Sequence, residues 1–273
     1  MNIVRTATTE IDLSYLKSEL DALVEKYEKP SFFIGRDPIT IPHFFTKKKD
    51  IEVSAFLTSI ITWGLREATI AKAKILMELM ENSPYDFVVN AYPSDLKALE
   101  KKLEAHSSAK GYFHRTLKAS LVPSIIIALQ LAYKERGSIE AFFEKENKNE
   151  PLINRMTRFY SFMRERVPKE AHPALSSMEN STAKRANMFL RWMVRSSKKG
   201  VDFGIWKSVD PAELFLPLDV HSANTARKLK LTSRISNDRK TVEEITSVLA
   251  TLDQSDPAKY DFALFGKGIE KGE

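Results

Sequence analysis

The chain of 273 residues contains no cysteine, which removes several kinds of chemistry at once. It can form no disulfide, offer no thiolate nucleophile, and bind no zinc ion or iron–sulfur cluster through cysteine. Glycine is also scarce, with nine residues, and none of them forms the glycine-rich loop that holds the phosphates of a nucleotide. We therefore expect no cofactor and no metal site, and a reducing compartment such as the cytoplasm.

Long apolar runs are missing as well, since no window approaches the ~18 consecutive apolar residues that cross a bilayer. The first ten residues lack the charged-then-apolar layout of a secretory signal. With 43% hydrophobic and 29% charged residues, the chain can bury a substantial core. These features predict a folded cytoplasmic protein without a membrane partner.

Nearly every segment has the 3.6-residue period of an amphipathic helix, and we find neither an alternating strand pattern nor an internal repeat. An all-α fold is therefore predicted, with helices over 51–65, 67–80, 117–133, 152–167, 182–195, 220–231 and 241–252 among others. We expect an N-terminal helix and lead-in over 1–36, a helical domain over 37–268, and a tail over 269–273. The polar stretch 140–151 is the candidate loop connecting two subdomains.

Positive charge is concentrated in the second half of the chain. Residues 1–150 carry 21 basic and 21 acidic side chains, whereas residues 151–273 carry 21 and 15, which accounts for the whole net charge of +6. Between 184 and 234 the counts are 11 and 4. A polyanion such as nucleic acid is the natural partner of such a segment, although a solvated basic face would have the same composition.

A predicted helix within this basic segment carries the first informative motif. Lys184, Arg191 and Arg195 fall on one narrow arc of the helix, and apolar residues occupy another. We call these three residues the cationic stripe and expect it to face outward, with Ser181 or Thr182 capping the helix. A row of like charges requires a compensating polyanion or carboxylates from elsewhere in the chain.

The second motif places an aspartate where another amphipathic helix begins. Asp219 lies between apolar residues and the predicted helix, so backbone N–H groups and the helix dipole favour its ionised form. Helix capping alone explains many aspartates in this position. His221 follows two residues later.

These motifs resemble those of the helix-hairpin-helix superfamily of DNA glycosylases. Lys184-Arg-Ala186 is similar to the start of its second hairpin helix, and Pro217-Leu-Asp219-Val-His221 is similar to the segment that carries its aspartate. The Asp-Val-His tripeptide is closest to the 8-oxoguanine branch, and residues 50–60 resemble an early helix of the superfamily. As a whole, residues 37–268 look like a bacterial branch marked by Arg191-Trp-Met-Val-Arg195 and by residues 256–265.

The resemblance implies a compact DNA-glycosylase-like fold of two helical subdomains with a groove between them. It implies base-excision repair of duplex DNA carrying a damaged base or an abasic site, with AP-lyase activity; RNA is an alternative substrate. Carried over to this chain, Lys184 is the amine that forms a Schiff base, and Asp219 is the carboxylate that stabilises positive charge on the sugar.

The resemblance also suggests which residues contact nucleic acid and the excised base. Nucleic-acid contacts are expected from Ser181, Thr182, Arg185, Arg191, Arg195, His221 and Arg227, with Lys228, Lys230 and Arg234 extending the phosphate track. Ser181 and Thr182 would replace the superfamily's Gly-x-Gly, which is absent from residues 175–183. A flipped base needs aromatic walls, for which the candidates are Trp63, Trp206 and Phe265. The separation of 35 positions from Lys184 to Asp219 is longer than is usual, and residues 198–206 fill the excess.

Two other functions fit the same residues. A nucleic-acid-binding protein of this fold that has lost base excision would explain the missing glycines. A helical protein-interaction scaffold would pair the cationic stripe with internal acids such as Asp202, Asp256 or Asp261. Burial of Arg191 and Arg195 in ion pairs would favour the scaffold.

Overall fold

The computed structural model describes residues 3–6 and 9–270, with side chains from 12 to 268. The predicted all-α fold is confirmed for this part of the chain. Its helices are α1 (Leu13–Tyr27), α2 (Pro30–Phe33), α3 (Lys48–Ile61), α4 (Arg66–Leu79), α5 (Pro84–Asn90), α6 (Pro93–Ala105), α7 (Val122–Arg136), α8 (Leu152–Glu165), α9 (Lys184–Val194), α10 (Val220–Lys228), α11 (Arg239–Leu252) and α12 (Tyr260–Glu270). No helix of the described residues has both the length and the apolar character needed to cross a membrane.

Two antiparallel hairpins, which the sequence did not predict, accompany the helices. One pairs β1 (Ile3–Thr6) with β2 (Thr9–Asp12), and the other pairs β3 (Tyr112–His114) with β4 (Leu117–Lys118). With two to four residues each, these strands are too short to produce a readable alternation of apolar and polar residues. The second hairpin also explains why the helix predicted from residue 117 begins only at α7.

The chain forms two compact units. Unit 1 combines Met1–Phe32 with Ser177–Glu273, and unit 2 is Phe33–Ser176. This division differs from the predicted one, because 140–151 lies inside unit 2 and 1–36 is no separate lead-in. In unit 2 the Arg158 guanidinium donates to the carbonyls of Phe142 and Glu144, so the predicted connecting loop is held against α8. Of the predicted tail, 269 and 270 belong to α12, and 271–273 lie outside the described residues.

Unit 2 is built around α3, which is buried from Asp50 to Ile61. Asp50 lies in the first turn of this helix, and its carboxylate accepts the backbone N–H of Tyr85 at the start of α5. The Glu52 carboxylate, also buried, accepts the Tyr133 hydroxyl of α7 at 2.6 Å and two backbone N–H groups at 139 and 140. These bonds satisfy a charge that would be costly to bury alone.

Unit 1 positions the candidate site by packing α1 and α10 against α12. Its core contains aliphatic side chains at helical spacing on α1 and α11. Leu216 and Leu218, together with Tyr260 and Leu264 of α12, belong to the same core. α12 approaches α1 so closely at Gly266 that a Cβ there would overlap the Tyr27 ring.

Candidate functional site

Lys184 and Asp219, the two residues assigned catalytic roles from the sequence, meet within unit 1. Lys184 is the first residue of α9, and Asp219 immediately precedes α10. The Lys184 Nζ lies 3.1 Å from the Asp219 Oδ2, and the side chains are 36% and 19% exposed. The fold therefore brings an ammonium and a carboxylate together across 35 residues of sequence, at a position that solvent reaches.

Helix geometry and charge keep Asp219 ionised. Its Oδ1 accepts the backbone N–H of Ser222 at 2.8 Å, as an N-cap does, which leaves Oδ2 for Lys184. Partial burial raises the pKa of Asp219, but the charge of Lys184 and the Ser222 amide outweigh burial and hold that pKa below its usual range. The carboxyl group is therefore negative at neutral pH.

The turn before α9 differs from the predicted one. α9 begins after Ala183, whose methyl side chain cannot accept a hydrogen bond, so neither Ser181 nor Thr182 caps the helix. Instead, the Ser181 hydroxyl accepts the N–H of Ala183 and donates to the carbonyl of Ser177, which closes the turn. Ala183 has φ of 47°, in the left-handed region that glycine adopts most easily. The structure thus uses a glycine-like conformation where the sequence lacks glycine.

The prediction that the cationic stripe faces outward is wrong for two of its three residues. Arg191 and Arg195 are buried, as is every residue of α9 from Ala186 onward. Their guanidinium groups lie over the Phe262 ring, at 4.5 Å and 5.1 Å from its centroid. In this position neither arginine can present its charge to a nucleic acid, so both are removed from the predicted contact residues.

Carboxylates from distant parts of the chain compensate the two arginines. We define the buried ion-pair cluster as Arg191 and Arg195 with Glu28, Asp202, Asp256 and Asp261. Asp202 joins the arginines, accepting from Arg191 Nε at 3.3 Å and from Arg195 Nη1 at 2.6 Å. Arg195 also contacts Glu28 at 2.8 Å and Asp256 at 2.9 Å. Two segments that are distant in the sequence, 191–195 and 256–265, therefore meet in this cluster.

Asp261 connects the cluster to the lysine–aspartate pair and was not predicted as a site residue. Its Oδ2 accepts from Arg191 Nη1 at 2.5 Å, and the charges of both Lys184 and Asp219 act on it. Burial raises the pKa of Asp261 to about 6, against the opposing charge of Arg191. Sequence reasoning had named this residue only as an internal acid, because nothing in its local pattern places it near α9 and α10.

The remaining predicted contact residues have different surroundings. His221 is exposed on the first turn of α10, and Thr182 and Arg185 are half-buried beside Lys184 in sequence. Arg227 points its guanidinium into its own unit, where Nε and Nη2 each donate at 2.8 Å to the carbonyls of Arg234 and Ile235. Arg227 therefore holds the loop between α10 and α11 in place, and the prediction that it contacts nucleic acid directly is wrong.

The three aromatic residues that were expected to line a base pocket lie in different surroundings. Trp206 is fully buried and packs edge-on against Phe189 of α9 at 5.3 Å, so it belongs to the core and the prediction is wrong for it. Phe265 is half-buried on α12. Trp63 belongs to unit 2, where it is 49% exposed and its carbonyl accepts from His114 Nε2 at 3.0 Å.

Among residues 12–268, whose side chains the structure describes, no three histidine, aspartate or glutamate side chains group closely enough to hold a metal ion. The site described above offers the primary amine of Lys184 and the carboxyl groups of Asp219 and Asp261.

The geometry defines an all-α protein that combines a partly exposed lysine–aspartate pair with a buried ion-pair cluster. Residues 37–270 match the model of a protein family of unknown function, DUF2400, and the chain belongs to that family. No curated protein and no solved structure matches it.

Proposed function

We propose that this protein is a DNA N-glycosylase of base-excision repair with AP-lyase activity, in which Lys184 is the nucleophile and Asp219 the electrostatic stabiliser. The observation that carries the proposal is the 3.1 Å contact between the Lys184 Nζ and the Asp219 Oδ2 at a position open to solvent. Its substrate class is duplex DNA with a damaged base or an abasic site, and the cytoplasm is its location.

Asp219 suits the first part of the reaction. Breaking an N-glycosidic bond builds positive charge on the sugar, and a fixed carboxylate near the anomeric carbon lowers the energy of that state. The bond to the Ser222 N–H fixes the Asp219 carboxyl group, and its lowered pKa keeps it negative. No reorganisation is then needed when the charge develops on the sugar.

Lys184 suits the second part. The Lys184 ammonium first gives one proton to solvent water. Its nitrogen then forms a bond to C1′ of the sugar, while the N-glycosidic bond breaks and its electron pair leaves with the base, which takes up one proton from water. As the sugar ring opens, a second proton moves from the nitrogen to the ring oxygen O4′, which gives a protonated imine between Lys184 and C1′. Loss of a C2′ proton to water then expels the 3′ phosphate and nicks the strand, and hydrolysis of the imine by water releases Lys184.

Two other functions remain in competition. Burial of Arg191 and Arg195 in ion pairs favours a helical protein-interaction scaffold, since it takes two cations away from any partner. A catalytically inactive nucleic-acid-binding protein would keep the basic segment without chemistry. Neither explains why a lysine and an aspartate are paired at a half-exposed position that adds little to stability.

Borohydride trapping tests the proposal. The protein is incubated with a duplex carrying an abasic site, sodium borohydride is added, and the covalent adduct is measured on a denaturing gel. We expect an adduct with the natural protein, none with Lys184→Gln or Lys184→Arg, and an undiminished adduct with Lys198→Gln, which changes an exposed lysine of the same unit. Lys184→Arg keeps the positive charge beside Asp219, so its loss of adduct would not come from an unpaired carboxylate.

Asp219→Asn separates the two roles. Asparagine still caps α10 but lacks the charge, so excision of 8-oxoguanine should fall by ~10²–10³-fold, as when one transition-state contact is removed. Trapping on a preformed abasic site should fall much less, because the base has already left. Salt-sensitive duplex binding without any adduct would select the inactive binding protein. Absence of both binding and adduct would select the scaffold.

A further inference from the structure

The loop between α10 and α11 presents one large apolar side chain to solvent. Ile235 is 93% exposed, more than any other large hydrophobic residue with a described side chain. We call residues 232–238 the Ile235 loop. The irregular loop that carries this isoleucine is held in place by side-chain hydrogen bonds from both flanking helices.

Arg227 braces the loop from α10. Its Nε donates to the Arg234 carbonyl at 2.8 Å, and Nη2 donates to the Ile235 carbonyl at 2.8 Å and to the Asn237 side chain at 2.5 Å. Three consecutive backbone positions around the tip are thus fixed by one planar guanidinium, since Nη2 also reaches the Ser236 carbonyl at 3.3 Å.

Side chains at the start of α11 brace the loop from the other end. Asp238 caps α11 through Thr241, and its Oδ2 accepts from Arg234 Nη2 and Ser236 Oγ at 2.7 Å each. Thr241 Oγ1 donates to the Ser236 carbonyl at 2.7 Å. Bonds from Ser236 and Thr241 lower the pKa of Asp238, so its charge persists at neutral pH. Because the loop is ordered before any partner arrives, little conformational entropy is lost on binding.

The chain segment that contains Ile235 is strongly basic. Residues 227–240 contain six basic side chains and one acidic side chain. Among them Lys228, Lys230 and Lys240 are exposed. The three arginines of this segment bond to groups of unit 1, so the exposed cations are these lysines. An apolar tip on a segment with exposed lysines is complementary to a polyanion that also offers an apolar interior, which describes stacked bases inside a phosphate backbone.

We propose that the Ile235 loop is a second DNA-contacting element, in which Ile235 enters between neighbouring base pairs from the minor groove and the surrounding lysines contact phosphates. The inference rests on the proposed function for its ligand. α10 joins the loop to Asp219, and its nine residues span ~13 Å at 1.5 Å per residue. That length corresponds to roughly four base pairs, so one duplex could contact both ends of α10. A wedge there would bend the duplex and ease extrusion of the base.

Duplex affinity and base stacking test the proposal. The probe is a 25-base-pair duplex containing a tetrahydrofuran abasic analogue, with 2-aminopurine placed three, four or five pairs away. We expect Ile235→Asp to weaken binding at least tenfold by fluorescence anisotropy, and Ile235→Ala to weaken it about threefold. The natural protein should raise 2-aminopurine fluorescence at one of these positions, and Ile235→Ala should abolish that rise while some binding remains. Tyr15→Ala, at another exposed apolar residue of unit 1, is the control and should change neither.

A charge variant and a positioning variant complete the test. Lys240→Gln should weaken binding at every sequence and reduce the slope of log affinity against log salt by about one. Arg227→Lys keeps the positive charge but loses the several hydrogen bonds that the planar guanidinium donates to the loop. It should therefore lower the 2-aminopurine signal and speed amide exchange at 234–237. Arg227 is a positioning residue in this scheme.

The outcomes separate this proposal from the proposed enzyme activity. If the natural protein forms no borohydride adduct but Ile235→Asp still weakens duplex binding and the stacking signal is present, the loop proposal stands alone. Equal duplex affinity for the natural protein and Ile235→Asp would overturn it, as would a protein that does not bind duplex at all. Binding to phosphatidylserine vesicles that Ile235→Asp abolishes, with duplex affinity unchanged, would assign the tip to a membrane surface and also overturn it.

Discussion

Arg195 donates through Nη1 to the Oδ2 of Asp202 at 2.6 Å, and both side chains are shielded from solvent. Asp202 binds Arg191 as well, so one carboxylate joins the guanidinium group of Arg191 in the last turn of α9 to that of Arg195, which directly follows the helix. Burial by itself would lower the pKa of Arg195, but Asp202, Asp256 and Glu28 raise it instead. Two members of the cationic stripe, Arg191 and Arg195, therefore belong to an internal ion-pair cluster, and only Lys184 lies at a position that solvent reaches.

Asp202→Asn should destabilise the protein by about 3 kcal/mol, at the lower end of the range for breaking a buried ion pair. The lower end applies because Arg191 keeps Asp261, and Arg195 keeps Glu28 and Asp256. Urea denaturation measures the change. Glu243→Gln breaks a half-exposed pair with Arg239 in the same unit and should cost at most ~0.5 kcal/mol. Equal costs for the two variants would contradict the structural importance of Asp202.

Asp261 should make stability depend on pH in the opposite sense from an ordinary paired carboxylate. Its pKa of about 6 in the folded protein lies above the ordinary value of 3.8, so between these pH values the folded state holds a proton that the unfolded chain has released. The contribution of Asp261 to the free energy of unfolding therefore falls as the pH rises from about 4 to 6. Asp261→Asn imitates the protonated form. As the pH rises across this window, its free energy of unfolding should increase by up to ~3 kcal/mol relative to that of the natural protein.

Denaturation midpoints at pH 4, 5, 6 and 7 check this prediction as a difference between the two proteins, which cancels the titration of all other groups. A difference that stays constant with pH would show that Asp261 is ionised throughout the window. In that case the bond to Arg191 would dominate over burial.

The sequence predicted α9 and α11 of unit 1 closely, but it missed α12 and did not predict that the charged face of α9 is buried. The period of residues 182–195 located α9 to within two residues, because helical spacing is a local property. The same pattern treats arginine as polar and places it outside. Whether Arg191 faces solvent depends on carboxylates at 202 and 261, which only the tertiary fold brings to it.

Lys184 and Asp219 were paired from short motifs, and the fold places them in contact. The division of the chain was not predictable in the same way. Unit 1 joins Met1–Phe32 to Ser177–Glu273, and no local composition signals that two segments separated by a whole unit belong together. A polar stretch such as 140–151 is typical of linkers, but here Phe142 and Phe143 are buried, and the Arg158 guanidinium donates to the carbonyls of Phe142 and Glu144, which holds the stretch against α8.

Gly266→Ala should destabilise unit 1 although alanine is the better helix former. A Cβ at this position would overlap the Tyr27 ring, and overpacking of a core costs ~1–3 kcal/mol, against a gain of ~1 kcal/mol in helix propensity. Gly268→Ala is the matched control on α12, since its Cβ would meet Thr225 Oγ1 at 3.4 Å without overlap. Thermal denaturation should show a lower midpoint for the first variant and an equal or higher one for the second. A higher midpoint for both would mean that α1 and α12 can separate at no cost.

Ala183→Gly should stabilise the protein, because it relieves a left-handed conformation that costs a residue with a Cβ ~1–2 kcal/mol. Glycine pays more backbone entropy on folding, so the expected net gain in the free energy of unfolding is about 1 kcal/mol. Ala186→Gly, one turn into α9 at a fully buried helical position, should instead lose ~1–2 kcal/mol through helix propensity and a lost methyl contact. Urea denaturation of the two variants compares the same chemical change in opposite backbone conformations. If Ala183→Gly also lost stability, the turn before α9 would not hold residue 183 at positive φ, and the placement of Lys184 that follows from it would have to be revised.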